Sequence, residues 1–203
     1  MKPFKLATLT PPSWVTMVEE DICGLLSDHA HCELKAADTA KALLLKYRTN
    51  TPMVRELSEM AAEEMAHFHQ AVELLHARGG DLGPVETNTY AERLLKDSGS
   101  NRKEVLLDRL LIASLIELRS LERFYLLSEG LQDAELATVY RELMPCESGH
   151  QAMFERLAKS LFPDELVAAR QVELLEIEGR CAFEAPPGAR MHAGWSDLVS
   201  EPN

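Results

Sequence analysis

Two copies of one side-chain pattern recur at matched spacing along this chain. Glu33 is followed 31 residues later by Glu64-Met-Ala-His67, and Glu117 is followed 30 residues later by Glu147-Ser-Gly-His150. Few folds can use such a set. Residues at i and i+3 share one face of a helix, so each Glu-x-x-His pair offers a carboxylate and an imidazole side by side. One Glu from each of two helices, with Glu-x-x-His from each of two others, is the donor set of a four-helix bundle that holds two metal ions.

The spacing carries more weight than the motif. A third match, Glu73-Leu-Leu-His76, has no Glu 29 to 31 residues before it; Ala42, Leu43 and Leu44 stand there. The faces agree with this sorting. Helical neighbours at offsets of three, four and seven give Glu33 the company of Leu26, Ala30, Ala37 and Ala40, and Glu64 that of Leu57, Met60, Ala61, Phe68 and Ala71. Glu117 is flanked by Leu110, Ala113, Leu121 and Phe124, and Glu147 by Tyr140, Leu143, Met144, His150, Gln151 and Phe154. Glu73 sees His69, Gln70 and His76, a solvated face, and Glu122 sees Arg119 and Glu129, a mixed one. Four carboxylates on apolar faces are costly unless compensated, and two divalent cations compensate them charge for charge.

Helical punctuation predicts the frame. Helix A is expected over 14–48 with a break near Gly24, helix B over 52–78, helix C over 101–129 and helix D over 133–161. Thr51 and Pro52 read as an N-cap and a first helical position, and Gly79-Gly80 as a stop. The candidate ligands fall near mid-helix in all four. Residues 79–100, with a short helix over 88–97, are long enough for a crossover connection. Pro145 falls inside helix D, where it removes one hydrogen bond and is expected to bend the axis beside Glu147. A fifth helix is expected over 163–181 after Pro163, then an irregular tail, 185–203, whose Trp195 packs back. The expected fold class is all-α: a ferritin-like four-helix bundle with an additional C-terminal helix, in one domain of 203 residues.

Composition excludes several classes. No apolar run reaches transmembrane length, and the N-terminus lacks a secretory apolar core, so a cytoplasmic protein is expected. Cys23, Cys32, Cys146 and Cys181 form no Cys-x-x-Cys pair, and Cys32 and Cys146, each directly before a candidate ligand, read as small buried thiols. Met65 reads as a packing residue. A net charge of −12 argues against indiscriminate nucleic-acid binding. The stretch 34–55 departs from it: Lys35, Lys41, Lys46, Arg48 and Arg55 against Asp38 leave +4. Lys46, Arg48 and Arg55, with Arg102 and Lys103 at the start of helix C, are the candidate phosphate contacts.

Asp28-His-Ala-His-Cys-Glu33-Leu-Lys-Ala-Ala37, Glu63-Glu-Met-Ala-His-Phe68 and Arg119-Ser-Leu-Glu-Arg-Phe124 resemble the tRNA-(2-methylthio-N6-isopentenyl-adenosine) hydroxylase family. Trp14 and Glu147-Ser-Gly-His150 fit as well, and the resemblance covers nearly the whole chain. It implies a nonhaem diiron monooxygenase that uses dioxygen to hydroxylate the isopentenyl group of that adenosine in tRNA. Its iron ligands would be Glu33, Glu64, His67, Glu117, Glu147 and His150, with Glu64 and Glu147 bridging. No dinucleotide-binding or iron–sulfur motif is present, so the electrons are expected from a separate reductase or ferredoxin-type protein. The same ligand set also serves ferroxidase, iron-storage and peroxide-handling dimetal proteins, which are the alternative reading.

Overall fold

The computed structural model describes residues 4–85, 89–99 and 105–198. Among them are seven α-helices, one short 3-10 turn and no strand. They fall into two compact units. One comprises Glu20–Glu86 with Ala189–Met191, and the other Met1–Glu19, Thr87–Gly188 and His192–Asn203.

The first unit is a helical hairpin. α2 (Ile22–Lys46) packs along α3 (Thr51–Ala77). Asp21 caps α2, accepting from the Gly24 N–H at 2.8 Å, so the expected break near Gly24 is a cap at residue 21. Asn50, not Thr51, caps α3, accepting from the Met53 N–H at 3.2 Å, with Pro52 in the first turn. The correction is local: Thr51 is already helical. Each such cap is worth about 1 kcal/mol. α3 ends in a Schellman turn, in which Gly80 N–H donates to Leu75 O and Gly79 N–H to His76 O. Gly79 takes φ +76°, a value other residues resist.

The second unit is built around α5 (Val105–Gly130) and α6 (Ala134–Leu161), packed side by side. Asp133 caps α6 through the Leu136 N–H at 3.0 Å. α6 runs unbroken as α-helix through Pro145, without a π-bulge. Its apolar stripe of Tyr140, Leu143, Met153, Phe154 and Leu157 is buried. That burial outweighs the one hydrogen bond the proline forfeits, which costs about 3 kcal/mol. α1 (Trp14–Glu19) rests on α5, and α4 (Thr89–Asp97) and α7 (Asp164–Phe183) complete the unit. The tail is irregular apart from the 3-10 turn Ser196–Leu198. Trp195 is buried, edge-on to Phe183 with centroids 6.0 Å apart.

Candidate metal centre

Each hairpin brings one copy of the repeated pattern together. In the α2–α3 hairpin, Glu33, Glu64 and His67 each place a donor atom within 4.8 Å of the others. His67 Nδ1 is 3.5 Å from Glu64 Oε2 and 3.9 Å from Glu33 Oε2. In the α5–α6 hairpin, Glu117, Glu147 and His150 meet the same 4.8 Å limit. The offset of three on α3 and α6 sets each imidazole one turn from its carboxylate, and the partner helix adds the second carboxylate.

All four carboxylates are buried, from 1% exposed for Glu64 to 6% for Glu117. Each triad holds two carboxylates and one imidazole, a formal −2 with the imidazole neutral. Two like charges this close and this dry repel strongly. One divalent cation per triad would cancel them. Hard carboxylate oxygens with one imidazole suit iron among the first-row metals, so the residues present fit an iron site.

The neighbours of the triads hold a feature the sequence reading missed. His29, one turn before Glu33, sets its Nε2 2.5 Å from Glu33 Oε1, and the ring is buried. Burial is the main reason its imidazole is pushed down to about 3, with His67 adding to the effect and Glu64 opposing it. A neutral ring with hydrogen on Nε2 therefore donates to the carboxylate. On α6, Cys146 Sγ lies 3.6 Å from His150 Nε2. Cys32 and Cys146 are half-buried rather than fully buried, and burial raises the Cys32 thiol.

The sequence sorting of the third motif holds: Glu73 and His76 are exposed. Two other readings do not. Met65 is 41% exposed, because it follows Glu64 by one residue and so lies about 100° round α3 from it. Glu122, read as lying on a mixed face, is buried at 2% in a second charge cluster of α5. There Arg119 donates to Glu122 Oε2 at 2.6 Å and through Nε and Nη2 to the two Glu178 oxygens at 2.8 and 2.9 Å. Thr10 donates to Glu122 from both its N–H and its hydroxyl, and Tyr90 donates to Glu178. Burial opposes the charge on Arg119, but the Glu178 and Glu122 carboxylates outweigh it and hold its pKa above the ordinary value. Arg123 lies between the rings of Trp14 and Trp195, at 4.1 and 5.1 Å, and donates to Ala193 O. Burial first, then Arg119, push its guanidinium down to about 9. Charged residues at 119, 122 and 123, inside a Leu-rich run, were the available signal.

Of the candidate phosphate contacts, Lys46, Arg48 and Arg55 are exposed around the α2–α3 turn. Arg55 is paired with Glu59, and Lys46 lies over the Tyr47 ring. Arg102 and Lys103 fall outside the described residues.

Comparison with known proteins gives these triads a context. Residues 2–193 match the model of the family described as tRNA-(MS[2]IO[6]A)-hydroxylase (MiaE). The chain belongs to this family. It is 36% identical over 186 residues to the tRNA 2-(methylsulfanyl)-N(6)-isopentenyladenosine(37) hydroxylase of Pseudomonas putida, covering 91% of this chain and 90% of that one. The protein of the same name from Salmonella typhimurium is 26% identical over 234 residues, covering 91% and 86%. Among solved structures, Protein 43 with aldehyde deformylating oxygenase activity from Synechococcus superposes with a TM-score of 0.88 at 34% identity, over 93% of this chain and 96% of that one. The tRNA hydroxylase family member described here is thus all-α and ferritin-like, as its repeat predicts. No described helix is long and apolar enough to cross a membrane.

Proposed function

We propose that this chain hydroxylates the isopentenyl group of 2-methylthio-N6-isopentenyl-adenosine in tRNA, with two iron ions as its cofactor. Glu33, Glu64 and His67 would hold one ion and Glu117, Glu147 and His150 the other. The observation that carries the reading is the repeated triad of two buried carboxylates and an imidazole, in a chain of the tRNA hydroxylase family.

When bound, the iron pair supplies reductive activation of dioxygen and insertion of one oxygen atom into a C–H bond. The balance is R–H plus O2, two electrons and two protons giving R–OH and water. The chain's own residues do the rest. The six ligands fix the ions and, at −4 in total, neutralise two ferrous charges. Phe124 and Phe154 are buried on the faces of Glu117 and Glu147 and keep bulk water from the reacting carbon. Phe68 and Leu121, half-buried, extend that apolar lining. Two electrons per turnover come from a separate reductase or ferredoxin-type protein. The tRNA phosphates meet the basic α2–α3 turn at Lys46, Arg48 and Arg55, with Arg102 and Lys103 contributing.

The test is mass spectrometry of nucleosides from tRNA carrying the isopentenyl modification, after treatment with iron-loaded protein, reductant and dioxygen. A gain of one oxygen, absent with Glu117→Ala, is expected. An aliphatic aldehyde is run in parallel, because the solved relative from Synechococcus has aldehyde deformylating oxygenase activity. Turnover of the aldehyde with unaltered tRNA would overturn the tRNA reading.

A further inference from the structure

The four tyrosines of this chain are not used alike. Tyr90 and Tyr140 are buried, and their rings meet His192 and Phe124, while Tyr125 meets Phe4. Tyr47, at the α2–α3 turn, is half-buried, and among the described residues its ring meets no other ring. Lys46 Nζ lies over it at 5.5 Å. The turn holds the residue in place: Tyr47 N–H donates to Leu43 O, and Tyr47 O accepts from the Asn50 N–H, each at 2.9 Å. Leu45, 67% exposed, and the exposed Lys46 and Arg48 adjoin it in the chain. Lys41 and Arg55 are paired with Asp38 and Glu59. Among the described residues, Lys46 and Arg48 have no carboxylate partner.

We infer that Tyr47 is a stacking platform for an unpaired nucleobase of the tRNA loop that carries the reacting adenosine. This deepens the tRNA reading above and rests on it. Proteins hold single-stranded RNA by giving cations to its phosphates and aromatic faces to its bases. The turn supplies both within three consecutive residues, Lys46-Tyr47-Arg48. A stacked base holds the ring more strongly than an exposed ammonium does, so a base displaces Lys46 and leaves its charge for a phosphate. The platform serves a second base rather than the substrate base. Tyr47 stands fourteen residues after Glu33, about 21 Å along the axis of α2. A paired duplex offers its phosphates but no free base face, so the platform favours a loop over paired RNA.

The experiment measures binding of two RNAs to the full chain. One is the anticodon stem-loop with its isopentenyl-modified adenosine, and the other a fully paired duplex with the same number of phosphates. The parent, Tyr47→Phe, Tyr47→Leu and Tyr47→Ala are compared over a range of salt. The parent and Tyr47→Phe should prefer the stem-loop to the duplex. Tyr47→Leu and Tyr47→Ala should bind the stem-loop about 5- to 150-fold more weakly. Both should bind the duplex as the parent does and keep its slope of log affinity against log salt, which counts phosphates. Parent-like binding of the stem-loop by Tyr47→Leu and Tyr47→Ala would overturn the inference. So would an equal loss on both RNAs, because Tyr47 would then shape the turn rather than hold a base. Should Tyr47→Ala fail to fold, Tyr47→Leu decides, since it fills the space without a π face. The two readings fail differently: a parent chain that binds neither RNA defeats the tRNA reading itself, whereas a parent and a Tyr47→Leu variant that bind the stem-loop equally remove only the platform.

Discussion

Two buried charge clusters lie on α5, and they solve one electrostatic problem in opposite ways. Arg119, Glu122 and Arg123, with Glu178 of α7, carry two positive and two negative charges and neutralise themselves. Glu117, two residues before Arg119, joins Glu147 and His150 in a triad of acceptor groups at −2. Chain segments distant in sequence complete the first cluster: Thr8 and Thr10 from the N-terminus and Ala193 and Trp195 from the tail. In the proposed function, cations complete the second. The first cluster therefore serves the folded chain, while the second is the candidate metal centre.

The contrast can be broken at either end. The largest effect is expected at Arg119. Arg119→Met leaves Glu178 and Glu122 buried without their cation and should cost about 3–5 kcal/mol in denaturant unfolding. Adding Glu122→Leu, Glu178→Leu and Arg123→Met to that variant should recover much of the loss, since replacing a whole buried charge set by apolar groups is often neutral. Failure to recover would mean that the cluster acts through shape rather than charge.

Next is iron itself. Free ferrous iron at 100 times its dissociation constant should stabilise the parent chain by about 2.7 kcal/mol per site. Differential scanning calorimetry in anoxic buffer reads this as a rise in Tm. Chelation should reverse the rise, and no amount of iron should move the Arg119 cluster. Glu117→Gln sharpens the comparison by a change of sign. Relief of carboxylate repulsion should leave the metal-free protein within about 1 kcal/mol of the parent, or more stable, while hydroxylation falls to background. A large loss of metal-free stability would place Glu117 with the structural cluster.

Smaller effects belong to the surface. Arg48→Glu should weaken tRNA binding several-fold and reduce the slope of log affinity against log salt by about 1, with the iron spectrum unmoved. An unchanged salt slope would remove the α2–α3 turn from the tRNA contact. Glu73→Ala, in the exposed third motif, should change stability by less than about 0.5 kcal/mol and leave the iron content as it was.

The sequence was legible where the signal is local or repeated. Gly79-Gly80, Pro52 and Pro163 mark real helix boundaries because turns and caps are decided within a few residues. The convergence of the six candidate residues in two groups was readable from repeat spacing together with apolar faces, since burying a carboxylate beside Leu and Ala needs a reason. The Arg119 cluster was not readable. Its partners lie 59 residues away at Glu178 and 109 away at Thr10, and neighbours at offsets of three and four gave Glu122 a mixed face. Met65 was misjudged because chemistry alone suggested burial, while its helical phase, one residue past Glu64, turns it outward. His29 stood inside a block already singled out, yet its bond to Glu33 depends on a rotamer that no spacing rule supplies.

The proposed function requires one dinuclear iron centre held by Glu33, Glu64, His67, Glu117, Glu147 and His150. Electron paramagnetic resonance of the air-oxidised protein, quantified against iron per chain, tests it directly. Two bridged ferric ions couple antiferromagnetically, so the account predicts two irons per chain and almost no ferric signal. A full-intensity signal of isolated high-spin ferric ions, or a single iron per chain, would contradict it.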